Sequence, residues 1–266
     1  MNAAWQGVRR LARAAAGVAA FLWLSTALAQ PMAVLDDSEL RAVAGQGLMQ
    51  LNNSSYGGLD FARVGLSADI QFNANFSNIR LGETTQAVRN GTVADIDIPT
   101  LRFGRSDGSE AQRLVTLTDP YMEFVFKGSG GSRELLGARF GFKGIAGDLG
   151  LQATTLSGSL LINGGALGNV DSSTDPLGAK RWDGGCGAAA PCLALSRVGA
   201  VGAGDANGAS RDFWVSMLKS PVQFAAVNGM SQPAVAQQGV WLNWTDRLRA
   251  LQVDAGLPPN LPKTGP

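Results

Sequence analysis

The sequence predicts a mainly β fold: a large antiparallel meander sheet, curled or sandwich-like, with a short helix near the N-terminus and long Gly/Ala-rich loops. Three observations predict it. Apolar and polar residues alternate in several short segments, which is the two-residue period of a half-buried strand. Gly, Asn and Asp separate those segments, as turns require. Glycine itself supplies 35 of 266 residues, and it clusters where strands must bend or bulge.

The chain opens with Arg9, Arg10 and Arg13, an uncharged apolar stretch from Ala14 to Leu24, and the small-x-small triplet Ala27-Leu28-Ala29. This is the order of a signal peptide, so residues 1–29 are expected to be removed by cleavage between Ala29 and Gln30. The arginine doublet lacks the rest of a twin-arginine pattern, and ordinary secretion is expected. Removing residues 1–29 takes away three arginines and no acid, leaving 19 basic and 21 acidic side chains, a net charge of −2. A near-neutral chain carries no electrostatic footprint for nucleic acid. No apolar run in the remaining 237 residues is long enough for a transmembrane helix, and too few alternating segments are present for a membrane barrel.

From 30 to 256 we expect a single β-rich domain. Asp36 and Asp37 are candidate N-caps of a short amphipathic helix through Leu40 and Val43, ended by Gly45. Ala68 to Phe76 alternates as one strand, and Met122, Phe124 and Phe126 alternate after the turn signal Asp119-Pro120. Ile70, Phe72, Phe76, Phe124 and Phe126 are the expected buried face. Phe140, Phe142, Leu149 and Leu151 continue the pattern between glycines. Residues 163–210, rich in Gly, Ala, Ser and Asp, are expected to be a loop-rich insertion. Phe213–Leu218 and Val222–Phe224 are expected strands on either side of Pro221. Trp241–Trp244 has apolar spacing toward Leu248 and Leu251 that slightly favours a helix over a strand. Residues 257–266 form a Pro-rich tail expected to be loose.

Chemistry is sparse. The chain has no histidine, which removes Ser-His-Asp and Cys-His nucleophilic sites and imidazole ligation of zinc. Its two cysteines, Cys186 and Cys192, enclose a Gly/Ala/Pro loop and are expected to form a disulfide in an oxidising compartment. Paired carboxylates remain as catalytic candidates: Asp95 with Asp97, Asp119 with Glu123, and Asp171 with Asp175. Alternation with Ile96 and Ile98 marks the first pair as the wet face of a strand. Asp205-Ala206-Asn207-Gly208 and Asp107-Gly108-Ser109-Glu110 are weak matches to a calcium loop, and turns explain them better. Gly199 to Gly204 lacks the context of a nucleotide loop. The terminal Leu261-Pro262-Lys263-Thr264-Gly265 matches a sortase pentapeptide but lacks the membrane span and basic tail such signals need. No cofactor or metal is expected.

Several stretches together resemble a known group: Leu35-Asp36-Asp37-Ser38-Glu39-Leu40 with Val43 and Gly45-Gln46, then Ile98-Pro99-x-Leu101-Arg102-Phe103-Gly104. Asp119-Pro120-Tyr121-Met122-Glu123, Gly137-Ala138-Arg139-Phe140-Gly141-Phe142 and Leu156-Ser157-Gly158-Ser159-Leu160 continue it. Over roughly residues 32–165 the chain is similar to uncharacterised exported proteins of Gram-negative bacteria, some of which carry a pilus-system label. The likeness implies a non-enzymatic structural or interaction protein of the periplasm, outer-membrane surface or cell exterior. Its expected partners are other envelope or surface-appendage proteins, with peripheral membrane association left open. A module binding lipid along Phe72, Phe76, Phe124 and Phe126 is the second expectation, and a carboxylate hydrolase the third.

Overall fold

The computed structural model describes residues 48–85, 89, 91–187 and 191–262, all within one compact unit. The expected signal peptide, its Ala29/Gln30 junction, the helix at 36–45 and the last four residues lie outside the described residues. Fourteen strands are present among those described: β1 (Met49–Tyr56), β2 (Leu59–Leu66), β3 (Asp69–Phe72), β4 (Ala74–Leu81), β5 (Ile96–Phe103), β6 (Val115–Lys127) and β7 (Glu134–Gln152). The remainder are β8 (Thr155–Leu156), β9 (Gly158–Asn163), β10 (Asn169–Asp171), β11 (Val198–Ala203), β12 (Trp214–Leu218), β13 (Gly239–Trp244) and β14 (Leu248–Val253).

β1 and β2 form a hairpin whose two-residue loop is Gly57-Gly58, with φ of 59° and 77°. Positive φ at both loop positions is what a type I′ turn demands, and glycine adopts it without steric cost. β2 then pairs with β6, and β6 with β7. The 19-residue β7 is the spine of the fold: its first half also pairs with β12, and its second half with β11 and β5. Gly141 is required there, because a Cβ would stand 2.5 Å from the Phe213 carbonyl oxygen at the approach of β12.

The sheet is mixed, which corrects the expected antiparallel sheet. β9 runs parallel to both β13 and β14. Its partners are reached through long connections, which, unlike tight hairpins, permit parallel pairing. Pairing passes from β7 through β12, β13, β9, β14 and β11 back to β7, closing a circuit of strands. Inside lies the main core, including Ile145, Leu149, Leu160, Ile162, Val201, Leu242 and Trp244. A second core forms where the segment bearing Val222, Phe224 and Ala236 covers Phe61, Val125, Leu136, Trp214 and Trp241.

One face of β6 serves both cores. Val115 and Leu117 belong to the main core, as does Ile145 opposite Leu117, whereas Val125, at the same parity, belongs to the second core. Between them stands Asp119, at φ 47°, while pairing with β7 keeps its register from Thr116 to Val125.

Other expectations also change. Ala68 to Phe76 is two strands broken at Asn73, not one. Of the predicted buried face, Ile70 and Phe76 are exposed and Phe72, Phe124 and Phe126 only half-buried; on β6 Tyr121, Glu123 and Val125 are buried instead. Trp241–Trp244 is β13, not helix, and the turn to β14 is fixed by the buried Asp212 carboxylate, which accepts the N–H groups of Thr245 and Asp246. Val222–Phe224 makes only an isolated bridge to Ala236. Within the segment 163–210, expected to be loop-rich, Asn169–Asp171 is β10 and Val198–Ala203 is the wholly buried β11. The tail is anchored as far as Leu261, whose N–H donates to the Ser106 hydroxyl: Asn260 is buried, donating to Asn75 and the Phe103 carbonyl while its own carbonyl accepts from Asn75.

Candidate functional site

Two features stand out, and both are built on the sheet formed by β1, β2, β6, β7 and β12.

The first is a charged pocket. Arg63 on β2, Glu123 on β6 and Arg139 on β7 are direct cross-strand neighbours. Glu123 receives Arg63 Nε–H at 2.8 Å on one oxygen and Arg139 Nε–H at 2.5 Å on the other. The Glu123 and Arg139 side chains are only 4 % and 7 % exposed. The Arg63 guanidinium lies 4.2 Å from the Tyr121 ring centroid, and that of Arg139 lies 4.2 Å from Phe224. Burial pushes the Tyr121 phenol above its ordinary value, partly offset by Arg139 and Arg63. Arg63, Tyr121, Glu123 and Arg139, with Ser54, Phe142, Lys143, Arg211 and Val227, line a cavity of about 380 Å³. Lys143 is paired with Asp119 at 3.0 Å and Arg211 with Asp246 at 3.2 Å.

The second is an open apolar face. In-register pairing places Leu51, Val64, Met122 and Phe140 in one row across β1, β2, β6 and β7; Val215 continues the register on β12 but packs against the main core. Cross-strand neighbours share a face of the sheet, so the row is continuous. Leu51 is 78 % exposed, Met122 45 % and Phe140 44 %. A second row beside it ends on Met217, also exposed. Among the described residues β1 pairs only with β2, so the row ends at an edge strand. Counting from the two-residue hairpin, the Met49, Leu51, Asn53 and Ser55 backbone groups point away from β2.

The expected site residues are distributed differently. Cys186 and Cys192 form the disulfide, with Cα atoms 5.7 Å apart. Asp95 is buried rather than on a wet face: it accepts Lys180 at 2.8 Å, Arg181 at 3.1 Å and the Val240 N–H at 2.8 Å. Asp97 remains part-exposed, 3.7 Å from Arg80. Asp119 and Glu123 are engaged by different cations, as above. Asp171 caps the short turn at Ser173, whereas Asp175 is gripped by both Arg89 Nη atoms at 2.6 and 2.8 Å. Each carboxylate thus has its own structural partner, as ion-pair and capping roles require. Asp205 accepts the Asn207 N–H within its own turn, and Asp107 pairs with Arg105. Among the described residues no group of three or more His, Cys, Asp or Glu is arranged to hold a metal. Gly199–Gly204 runs into β11 and is not a loop.

The expected lipid-lining rings do not form one groove. Phe72 and Phe76 cluster with Phe103, while the Phe126 ring is covered by Arg133. A wholly apolar cavity does exist in the main core, lined by Ile79, Leu151, Leu156 and Trp244 among others, but it measures about 170 Å³. That is roughly the size that holds one benzene, well short of an acyl chain.

Arg63, Tyr121, Arg139 and the apolar row were not singled out from the sequence. The available signal was a lone charge at an inward position of each apolar strand, Glu123 between Met122 and Phe124 and Arg139 between Ala138 and Phe140. Only the register shows that they meet. No family model, curated protein or solved structure matches the chain.

Proposed function

We propose that the chain is exported, is cut between Ala29 and Gln30, and acts as a non-enzymatic interaction protein of the bacterial envelope or cell surface, in a pilus-type system. The observation that carries this reading is the apolar row ending on the edge strand β1. Contiguous exposed apolar surface marks interaction sites, and three methionines in and beside it, Met49, Met122 and Met217, supply an adaptable contact surface. The Cys186–Cys192 disulfide fits an oxidising compartment.

The partner is an envelope or appendage protein that lays a strand along β1 and apolar side chains over the row. Outward N–H and C=O groups at Met49, Leu51, Asn53 and Ser55 favour protein over lipid, because a partner strand satisfies them and acyl chains do not. β1 also carries no charge and no proline, the usual devices that block edge pairing.

Photo-crosslinkers at Leu51 and Met122 in envelope fractions, with N-terminal sequencing of the same material, test both parts. The expected result is a chain beginning at Gln30 and a crosslink to one defined envelope protein, lost in the variant Leu51→Lys/Asn53→Pro while the melting curve is kept. A chain still beginning at Met1 overturns export. Flotation with vesicles of envelope lipids in place of a protein crosslink overturns the protein partner.

A further inference from the structure

We propose that the pocket at Arg63, Tyr121 and Arg139 binds a small organic acid, a ring-sized body carrying a carboxylate. Charge balance is the first argument. Arg63 and Arg139 share one carboxylate, Glu123, so the triad, with Glu123 and Arg139 buried and Arg63 part-exposed at the cavity, carries one net positive charge. An anion in the adjoining cavity would balance that charge in a partly desolvated site, where the attraction is stronger than in bulk water.

Geometry is the second. Glu123 takes both guanidiniums by Nε, and their four Nη atoms make no hydrogen bond among the described residues. Both side chains line the cavity, so a planar Nη edge is offered to a ligand. Guanidinium edges match the two oxygens of a carboxylate. The Tyr121 hydroxyl, which likewise makes no hydrogen bond among the described residues, lines the same cavity and adds a neutral donor. Stacking on Tyr121 and Phe224 fixes the guanidiniums in advance, which lowers the ordering cost on binding.

Size and lining set the body of the ligand. About 380 Å³ lies at the small end of ligand pockets, and Tyr56, Phe142 and Val227 supply apolar walls beside Ser54 and Asn228. Glu123 is a positioning residue in this scheme: it aims the guanidiniums and does not touch the ligand.

Calorimetric titration of the intact protein with benzoate, D-glucuronate, benzamide and inorganic phosphate tests the site. We expect saturable binding of benzoate or glucuronate, the better of the two reporting whether the body is apolar or hydroxylated, and none of benzamide. Arg63→Gln should weaken the acid at least about tenfold and Tyr121→Phe by a smaller factor, as loss of charged and neutral hydrogen bonds predicts. Arg63 is part-exposed, so its variant is expected to keep the native melting curve. The proposal is overturned if neither acid binds below about 10 mM, a Kd of negligible specificity. It is equally overturned if phosphate or benzamide binds as well as the acids, or if Arg63→Gln binds them unchanged.

Discussion

Glu123 on β6 and Arg139 on β7 stand directly opposite each other, joined at 2.5 Å and buried under Phe224. A buried pair of this kind contributes little net stability when intact, because desolvation offsets the attraction, yet breaking it strands a charge. Glu123 is the shared partner of Arg139 and Arg63, so Glu123→Gln, which leaves both guanidiniums without their carboxylate, should cost about 3–5 kcal/mol, while Glu123→Gln/Arg139→Met, which leaves only the part-exposed Arg63, should cost far less. Urea melts of the single and double variants check this; equal losses would mean that packing, not charge, dominates.

Phe224 is fully buried in the second core, whereas Phe140 is 44 % exposed on the apolar row. Phe224→Ala should cost about 3–5 kcal/mol through the cavity it leaves. Phe140→Ser should stay within about 1 kcal/mol and reduce self-association or partner capture, since it removes contact surface and no core. Half-buried Phe124→Ala should fall between them, and a loss as large as that of Phe224→Ala would mean that this face is covered in solution.

Asp175 is held below the ordinary carboxylate range, chiefly by its hydrogen bonds to Arg89 and further by the Ala179 and Leu177 N–H groups. Its folded value lies under the unfolded value of about 3.9, so its contribution is present above about pH 4 and is lost as pH falls through the folded value. Comparing native protein with Asp175→Asn from pH 6 to pH 2 should show a stability gap that narrows with acidification. A gap independent of pH would assign the loss to the loop itself.

The disulfide closes a short loop, Cys186 to Cys192, with a sequence separation of 6. Loop-closure entropy gives about 2 kcal/mol for a ring of that size. Cys186→Ala/Cys192→Ala should lower stability by about that amount without unfolding the domain. Intact mass of exported protein should rise by two hydrogens on reduction, and free thiols before reduction would contradict the bond.

The sequence by itself determined that the chain is mainly β, that strands lie within 68–76, 122–126, 140–151 and 213–218, and that Cys186 meets Cys192. These follow from local chemistry: a two-residue alternation needs a pleated strand, and two cysteines six positions apart can close without long-range information. What it left undecided were matters of distant contact. Alternation in Met122–Phe126 defines two faces but not which is covered; that was settled by Val222–Ala236, roughly a hundred residues further on, folding over Val125. Trp241–Trp244 became a strand because β12 and β9 flank it on both sides, overriding a local spacing that slightly favoured helix. Asp95 resembled a wet-face residue until Lys180, Arg181 and Val240 converged on it from segments far along the chain. Likewise the row from Leu51 to Phe140 exists only through register, because side chains scattered across the sequence become one surface only when hydrogen bonds between strands hold them abreast.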